Sequence, residues 1–151
     1  MKRERCIEVL VRGVYVKDGR LLYCRSRNGV VRYLPGGHVE FGEPAREALI
    51  RELNEELGVE IRVGRFLGVV EHAFDQKGTF HSEINLVFQM MVPVWEEKTG
   101  VPSAPPSREE KIRFGWMGLD DLSGSSLEPA VLQDLLPVWL KSKAAGWGSS
   151  M

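Results

Sequence analysis

Few residues here would mark the chain as belonging to a special class. Only two of its 151 residues are cysteines, Cys6 and Cys24, and they stand apart with no metal-binding spacing. That argues against a disulfide framework and leaves two reduced thiols or, at most, one bridge between neighbouring strands. No apolar run approaches the length of a membrane helix, so no membrane partner is expected. The opening residues MKRERCIEV lack the apolar core of a secretory signal, so a cytoplasmic protein is expected. A dominant charge is missing too: 20 basic residues meet 21 acidic ones, for a net charge of -1. This argues against an extended nucleic-acid surface but is compatible with a small phosphate pocket. The rest is ordinary for a globular protein, 43% hydrophobic and 27% charged, of a length that suits one domain with one sizeable core.

Local patterns divide the chain. Cys6 to Val16 reads as a strand, Asp18-Gly19 as a two-residue hairpin turn, and Arg20 to Arg25 as the returning strand. Arg25, Arg27 and Arg32 cluster before Pro35-Gly36-Gly37. Glu60 to Glu71 reads as one or two strands, with Gly64 and Gly68 as bends or bulges. His72 to Phe80 reads as a hairpin loop, and His81 to Trp95 as a long apolar strand closed by Pro93. His72 and His81 show no ligand spacing and read as loop or strand-end residues. Glu83 and Asn85 alternate with Ile84 and Leu86, so they share a face that either lines a pocket or meets water. Pro102, Pro105 and Pro106 make Glu96 to Lys111 a long loop, with Glu109 and Glu110 at its end. Ile112 to Met117 is a strand, and Glu128 to Lys141 is a packing helix kinked at Pro137. Residues 1–142 are expected to form a single domain and 143–151 a flexible tail.

The stretch most dense in signals is Gly37 to Val59, GHVEFGEPAREALIRELNEELGV. Pro44 near the start and Gly58 at the end bracket a helix from about Pro44 to Leu57. At 100° per residue, Leu49, Ile50, Leu53 and Leu57 form its buried side. Glu52, Glu55 and Glu56, spaced i, i+3, i+4, project together, with small Ala45 and Ala48 on the same face. Such a face is either a solvated acidic surface, partly balanced by Glu47–Arg51, or the edge of a divalent-cation site.

The spacing adds a resemblance. Gly37, Glu43, Arg51, Glu52, Leu53, Glu55, Glu56, Gly58 and Val59 fill every fixed position of the Nudix box, G-x5-E-x7-R-E-U-x-E-E-x-G-U, where U is bulky and aliphatic. The stretch resembles the Nudix hydrolase family, with its MutT-like members. The resemblance implies an α/β fold, the α/β/α sandwich in which a mixed β-sheet is flanked by helices. It also implies a Mg²⁺- or Mn²⁺-dependent hydrolase that cleaves a diphosphate bond in a nucleoside diphosphate linked to another group. A non-catalytic nucleotide-binding module and a hydrolase of non-nucleotide diphosphates are the alternatives. On that resemblance Gly37, Glu52, Glu55 and Glu56 are metal ligands. Arg51 orients Glu52, and the general base is Glu52, Glu109 or Glu110. Arg25 holds substrate phosphate, Glu83 and Asn85 contact the substrate, and a homodimer is compatible.

Overall fold

The computed structural model describes residues 5–103 and 105–151. Among these residues nine strands, three α-helices and one 3-10 turn (Leu119–Asp121) follow one another. The strands are β1 (Glu8–Val14), β2 (Val16–Lys17), β3 (Arg20–Ser26), β4 (Arg32–Tyr33), β5 (Gly36–His38), β6 (Arg62–Gln76), β7 (Thr79–Met91), β8 (Ile112–Gly118) and β9 (Gly146–Ser149). The helices are α1 (Ala45–Leu57), α2 (Pro93–Glu96) and α3 (Val131–Lys141). A mixed five-stranded sheet runs β5-β1-β7-β6-β9, with β1 parallel to β7 and β6 parallel to β9. A second sheet centres on β3, which pairs with β8 along one edge and with β2 and β4 on the other.

Alternation along β1 sends successive side chains to opposite faces. Val11 enters one core with Leu49, Leu53 and Leu57 of α1, and Val14 enters the other with Leu132, Leu136 and Trp139 of α3. The result is a mixed sheet between helices, the layering that the resemblance implies. Asp18-Gly19 forms the expected turn, both residues at positive φ. Ladder irregularities in β6 fall between Val63 and Phe66 and between Phe66 and Gly68, close to the expected bulges.

Other expectations need correction. His72 to Phe80 is no loop: β6 and β7 pair as far as Gln76 and Thr79 and turn through Lys77-Gly78 alone. The strand expected to reach Trp95 ends at Met91, and Pro93 opens the short α2 at the head of the expected loop. Ile50, expected on the buried side, is 39% exposed, and Ala48, expected on the glutamate face, is fully buried in the α1 core. Residues 146–149 of the expected flexible tail pair with Gly68 to Glu71 as β9. Gly146 and Gly68 both lie against the Trp139 indole, where a side chain would collide, so small residues let this strand close on the sheet. Cys6 is exposed, Cys24 is buried, and both are free. No helix among the described residues is long and apolar enough to cross a membrane.

Candidate active site

The site begins where β5 passes α1. Gly37 pairs with Val11 of β1, and a Cβ placed on it would lie 2.6 Å from both carboxylate oxygens of Glu52. Glycine therefore lets backbone and carboxylate meet. Pro44 starts α1 from an extended conformation, and Gly58 stops it at φ 64, donating its N–H to the Asn54 carbonyl at 2.8 Å.

Arg51 ties loop and helix together. Its Nε donates to Glu43 Oε2 at 2.7 Å and its Nη2 to Glu43 Oε1 at 3.0 Å, a two-pronged pair. Further donations reach the His38 carbonyl and Glu52 Oε1, each at 3.1 Å, and Glu55 at 3.4 Å. The guanidinium, with the Glu40 N–H as second donor, holds the Glu43 carboxyl at about 2. Glu43 in turn favours the charged form of Arg51.

Glu56 is the unusual acid. It lies seven residues after Leu49, about 20° away on a helical projection, and so turns toward the protein. Its Oε2 is buried with no hydrogen-bond partner among the described residues. Burial pushes its carboxyl up to about 8, with Glu52, Glu109 and Glu55 adding repulsion and Arg12 opposing them. A partnerless buried carboxylate oxygen is expensive for a protein that offers it no cation. The donor set fits a hard divalent ion: Glu52, Glu55, Glu56 and the Gly37 backbone that faces Glu52. It is not a closed cage, because among the described residues no three His, Cys, Asp or Glu side chains converge as a metal-holding group. Arg51 draws Glu52 and Glu55 to itself instead.

The loop after α2 reaches this helix at its end. Arg108 N–H donates to the Glu56 carbonyl at 2.7 Å, and its guanidinium packs against Gly58. A cation and an N–H donor thus meet the negative end of a helix that has no basic residue in its last turn. This docking brings Glu109 within charge range of Glu56. Glu110 points elsewhere, to an exposed ion pair with Arg27 at 3.5 Å.

Glu56 also borders a cavity of about 610 Å³. Arg12, Tyr33, His72, Glu83 and Asn85 share its lining. Glu83 and Asn85 thus line a pocket. Arg25 does not reach it. Cys24 lines the cavity, so its neighbour on β3 faces the other way, and Arg25 donates to the carbonyls of Ser26, Arg27 and Gly29 at 3.2, 2.9 and 3.4 Å. The guanidinium in the cavity belongs to Arg12, which donates to Asn85 Oδ1 at 3.3 Å and to the Leu34 carbonyl at 3.1 Å. The sequence signal for Arg12 is a single arginine inside the apolar strand EVLVRGV. His72 likewise sits mid-strand on the cavity wall, and burial lowers its pKa.

A family model of the NUDIX domain matches residues 5–136, most of the chain. The chain belongs to the NUDIX family. It is 37% identical over 95 residues to an ADP-ribose pyrophosphatase of Methanocaldococcus jannaschii, covering 61% of this chain and 55% of that protein. A MutT-like protein of Streptomyces ambofaciens is 32% identical over 116 residues, covering 76% of this chain and 66% of that one. The NUDIX chain thus spans about half to two thirds of the length of these curated relatives. Among solved structures, a MutT NUDIX hydrolase from Burkholderia pseudomallei matches with a TM-score of 0.61 and 28% identity, over 78% of this chain and 87% of that one.

Proposed function

We propose that the protein is a divalent-metal-dependent hydrolase of a diphosphate bond in a nucleotide-type substrate. The observation that carries this reading is Glu56, a half-buried carboxylate with a partnerless oxygen at the junction of the box helix and the cavity. Glu52, Glu55, Glu56 and the Gly37 carbonyl are its metal ligands. Mg²⁺ or Mn²⁺ bound there would supply positive charge against phosphate oxygens and acidify water. Arg51 orients Glu52 and Glu55, and Glu43 holds Arg51 in register. Arg12, the one arginine or lysine on the cavity wall among the described residues, receives substrate phosphate in place of Arg25. The water's proton passes to a carboxylate, either Glu52 or Glu109. Glu110 is set aside for this role by its outward ion pair with Arg27.

The nucleotide class is supported by relatives named ADP-ribose pyrophosphatase and CTP pyrophosphohydrolase. Their names differ in substrate, so the group cleaved is left to experiment. A panel of nucleoside triphosphates, nucleotide sugars and ADP-ribose with Mg²⁺ or Mn²⁺, run in ¹⁸O-water, tests the reading. Turnover with label in one phosphate product is expected. Nucleotide binding without turnover under either metal would replace the hydrolase with a binding module.

A further inference from the structure

The polar wall of the cavity is sorted by one buried amide. Asn85 is 3% exposed, and its side chain is committed on both ends. Its Oδ1 accepts from Arg12 Nε at 3.3 Å. Its Nδ2 donates to Glu83 Oε2 at 3.2 Å and to the Val70 carbonyl at 3.5 Å. Both amide hydrogens of Asn85 are thereby used, and its Oδ1 is held against Arg12. It fixes a cation on one side and a carboxylate on the other. Arg12 lies within charge range of Glu56, so the cationic side adjoins the box helix. Glu83 lies opposite His72 across the β6–β7 ladder. Glu83 Oε1 has no hydrogen-bond partner among the described residues, and Oε2 keeps a lone pair beyond the one Asn85 uses.

The surroundings of Glu83 suit a flat ring. His81, Phe74 and His72 form a column of parallel rings, with centroids 4.8 Å apart at 8° and 4.9 Å apart at 26°. Phe74 touches both imidazoles, and Phe74 and His72 both line the cavity. No further ring among the described residues stacks on His72. Its Nδ1 is hydrogen-bonded to Ser150 Oγ at 2.7 Å, which fixes the ring plane from outside. Tyr33 supplies a second aromatic wall. Stacked aromatics with a hydrogen-bonding group at the edge are how proteins read an unpaired base.

We propose that this end of the cavity selects a ring with two adjacent N–H donors, guanine among the ordinary nucleobases, through Glu83 held in place by Asn85. The inference rests on the nucleotide reading of the site and names its base. A carboxylate is acceptor-only, so it pairs with the guanine N1–H and 2-amino group together. Hypoxanthine offers N1–H alone. Adenine presents a ring lone pair at N1, and xanthine a carbonyl at C2, each facing the carboxylate with like polarity. Glu83 is a specificity residue and Asn85 a positioning residue.

Two measurements test this: kcat/KM for GTP, ITP, XTP and ATP with Mg²⁺, and calorimetric binding of GMP, IMP, XMP and AMP, which needs no turnover. Guanine is expected to lead hypoxanthine by ~5- to ~150-fold, the range for a good two-pronged contact. In Glu83→Gln the amide presents one acceptor and one donor. GMP and GTP should weaken while XMP and XTP gain, with the change in KM rather than kcat. The wild-type ranking stands on its own if the variant does not fold. GMP preferred and bound, with neither GTP nor a guanine nucleotide sugar cleaved under Mg²⁺ or Mn²⁺, supports the base site and overturns the hydrolase reading. Cleavage without guanine preference, or a ranking that Glu83→Gln does not move, overturns the base site alone. Binding of none of these nucleotides overturns the base site, and the hydrolase reading then falls only if the wider panel of nucleotide sugars and ADP-ribose with Mg²⁺ or Mn²⁺ is also left uncleaved.

Discussion

Arg51 directs its donors to three carboxylates and one carbonyl, so the box is as much an electrostatic frame as a ligand set. Glu43 is the member whose charge matters most to that frame, and its titration gives a signed prediction. Its folded pKa of about 2 lies below the ordinary value near 4.5. The folded state therefore gains from the ionised form above pH 4.5 and loses that gain as pH falls toward 2. Glu43→Gln should lower the melting temperature at pH 6, and the gap to wild type should close between pH 4.5 and 2. A gap that stays constant in melts across that range would make the role steric. Removing Arg51 acts on the ligands it orients. Arg51→Gln is expected to weaken Mn²⁺ binding by roughly 10- to 100-fold, read by calorimetry on the folded protein. Glu56→Gln differs in kind. It removes a carboxyl that a metal ion would need, so metal-dependent turnover should fall by about a hundredfold or more, on the order of the strongest such losses. The melting temperature without metal should hold or rise at pH 7, because the buried carboxyl, pushed up to about 8, must take up a proton on folding and the amide need not.

At the level of elements, α1 carries the proposed ligands and the segment 105–111 supplies what its C-terminus lacks. The two meet at Gly58, whose φ of 64 favours glycine and whose open side is filled by the Arg108 guanidinium. Gly58→Ala places a methyl group into that guanidinium and strains the backbone by about 1–2 kcal/mol. Urea melts should show that loss, and limited proteolysis should cut within 105–111 faster, since Arg108 N–H no longer caps the Glu56 carbonyl. Activity should fall further than stability explains if Glu109 is the base, and in step with it if Glu52 is. The limits of α1 are readable from the chain because Pro44 and Gly58 act locally. The burial of Glu56 is masked by its grouping with Glu52 and Glu55 on an acidic face, although it falls a heptad after Leu49 on the apolar stripe. The cavity is not readable. Arg12, His72 and Asn85 meet only because β1, β7 and β6 lie side by side, and strand order is not written in any local pattern. The Lys77-Gly78 turn is similarly hidden: lysine is no turn marker, and pairing from Asp75 to Phe80 leaves that residue at positive φ.

At the scale of the molecule, the five-stranded sheet would end on β6, a fifteen-residue strand, were it not for β9. A long exposed edge is a template for pairing with another chain. β9 covers Gly68 to Glu71, and just beyond it Ser150 donates its N–H to the Glu71 carbonyl at 3.1 Å while its hydroxyl meets His72. The strand escapes a reading of propensity because Gly146, Gly148 and Ser149 are poor strand formers. It forms because α3 delivers it beside β6, with Trp139 and Leu135 packed on its two glycines. It also lies beyond residues 5–136 that match the family model. Removing residues 143–151 should therefore do two separable things. It should lower the melting temperature and promote self-association through the bared edge, seen by size-exclusion chromatography against concentration. It should also raise KM by releasing His72, which the single change Ser150→Ala reproduces without the association. A truncated protein that stays monodisperse, melts as the full chain does and keeps its KM would show that β9 neither guards the edge nor braces the cavity wall.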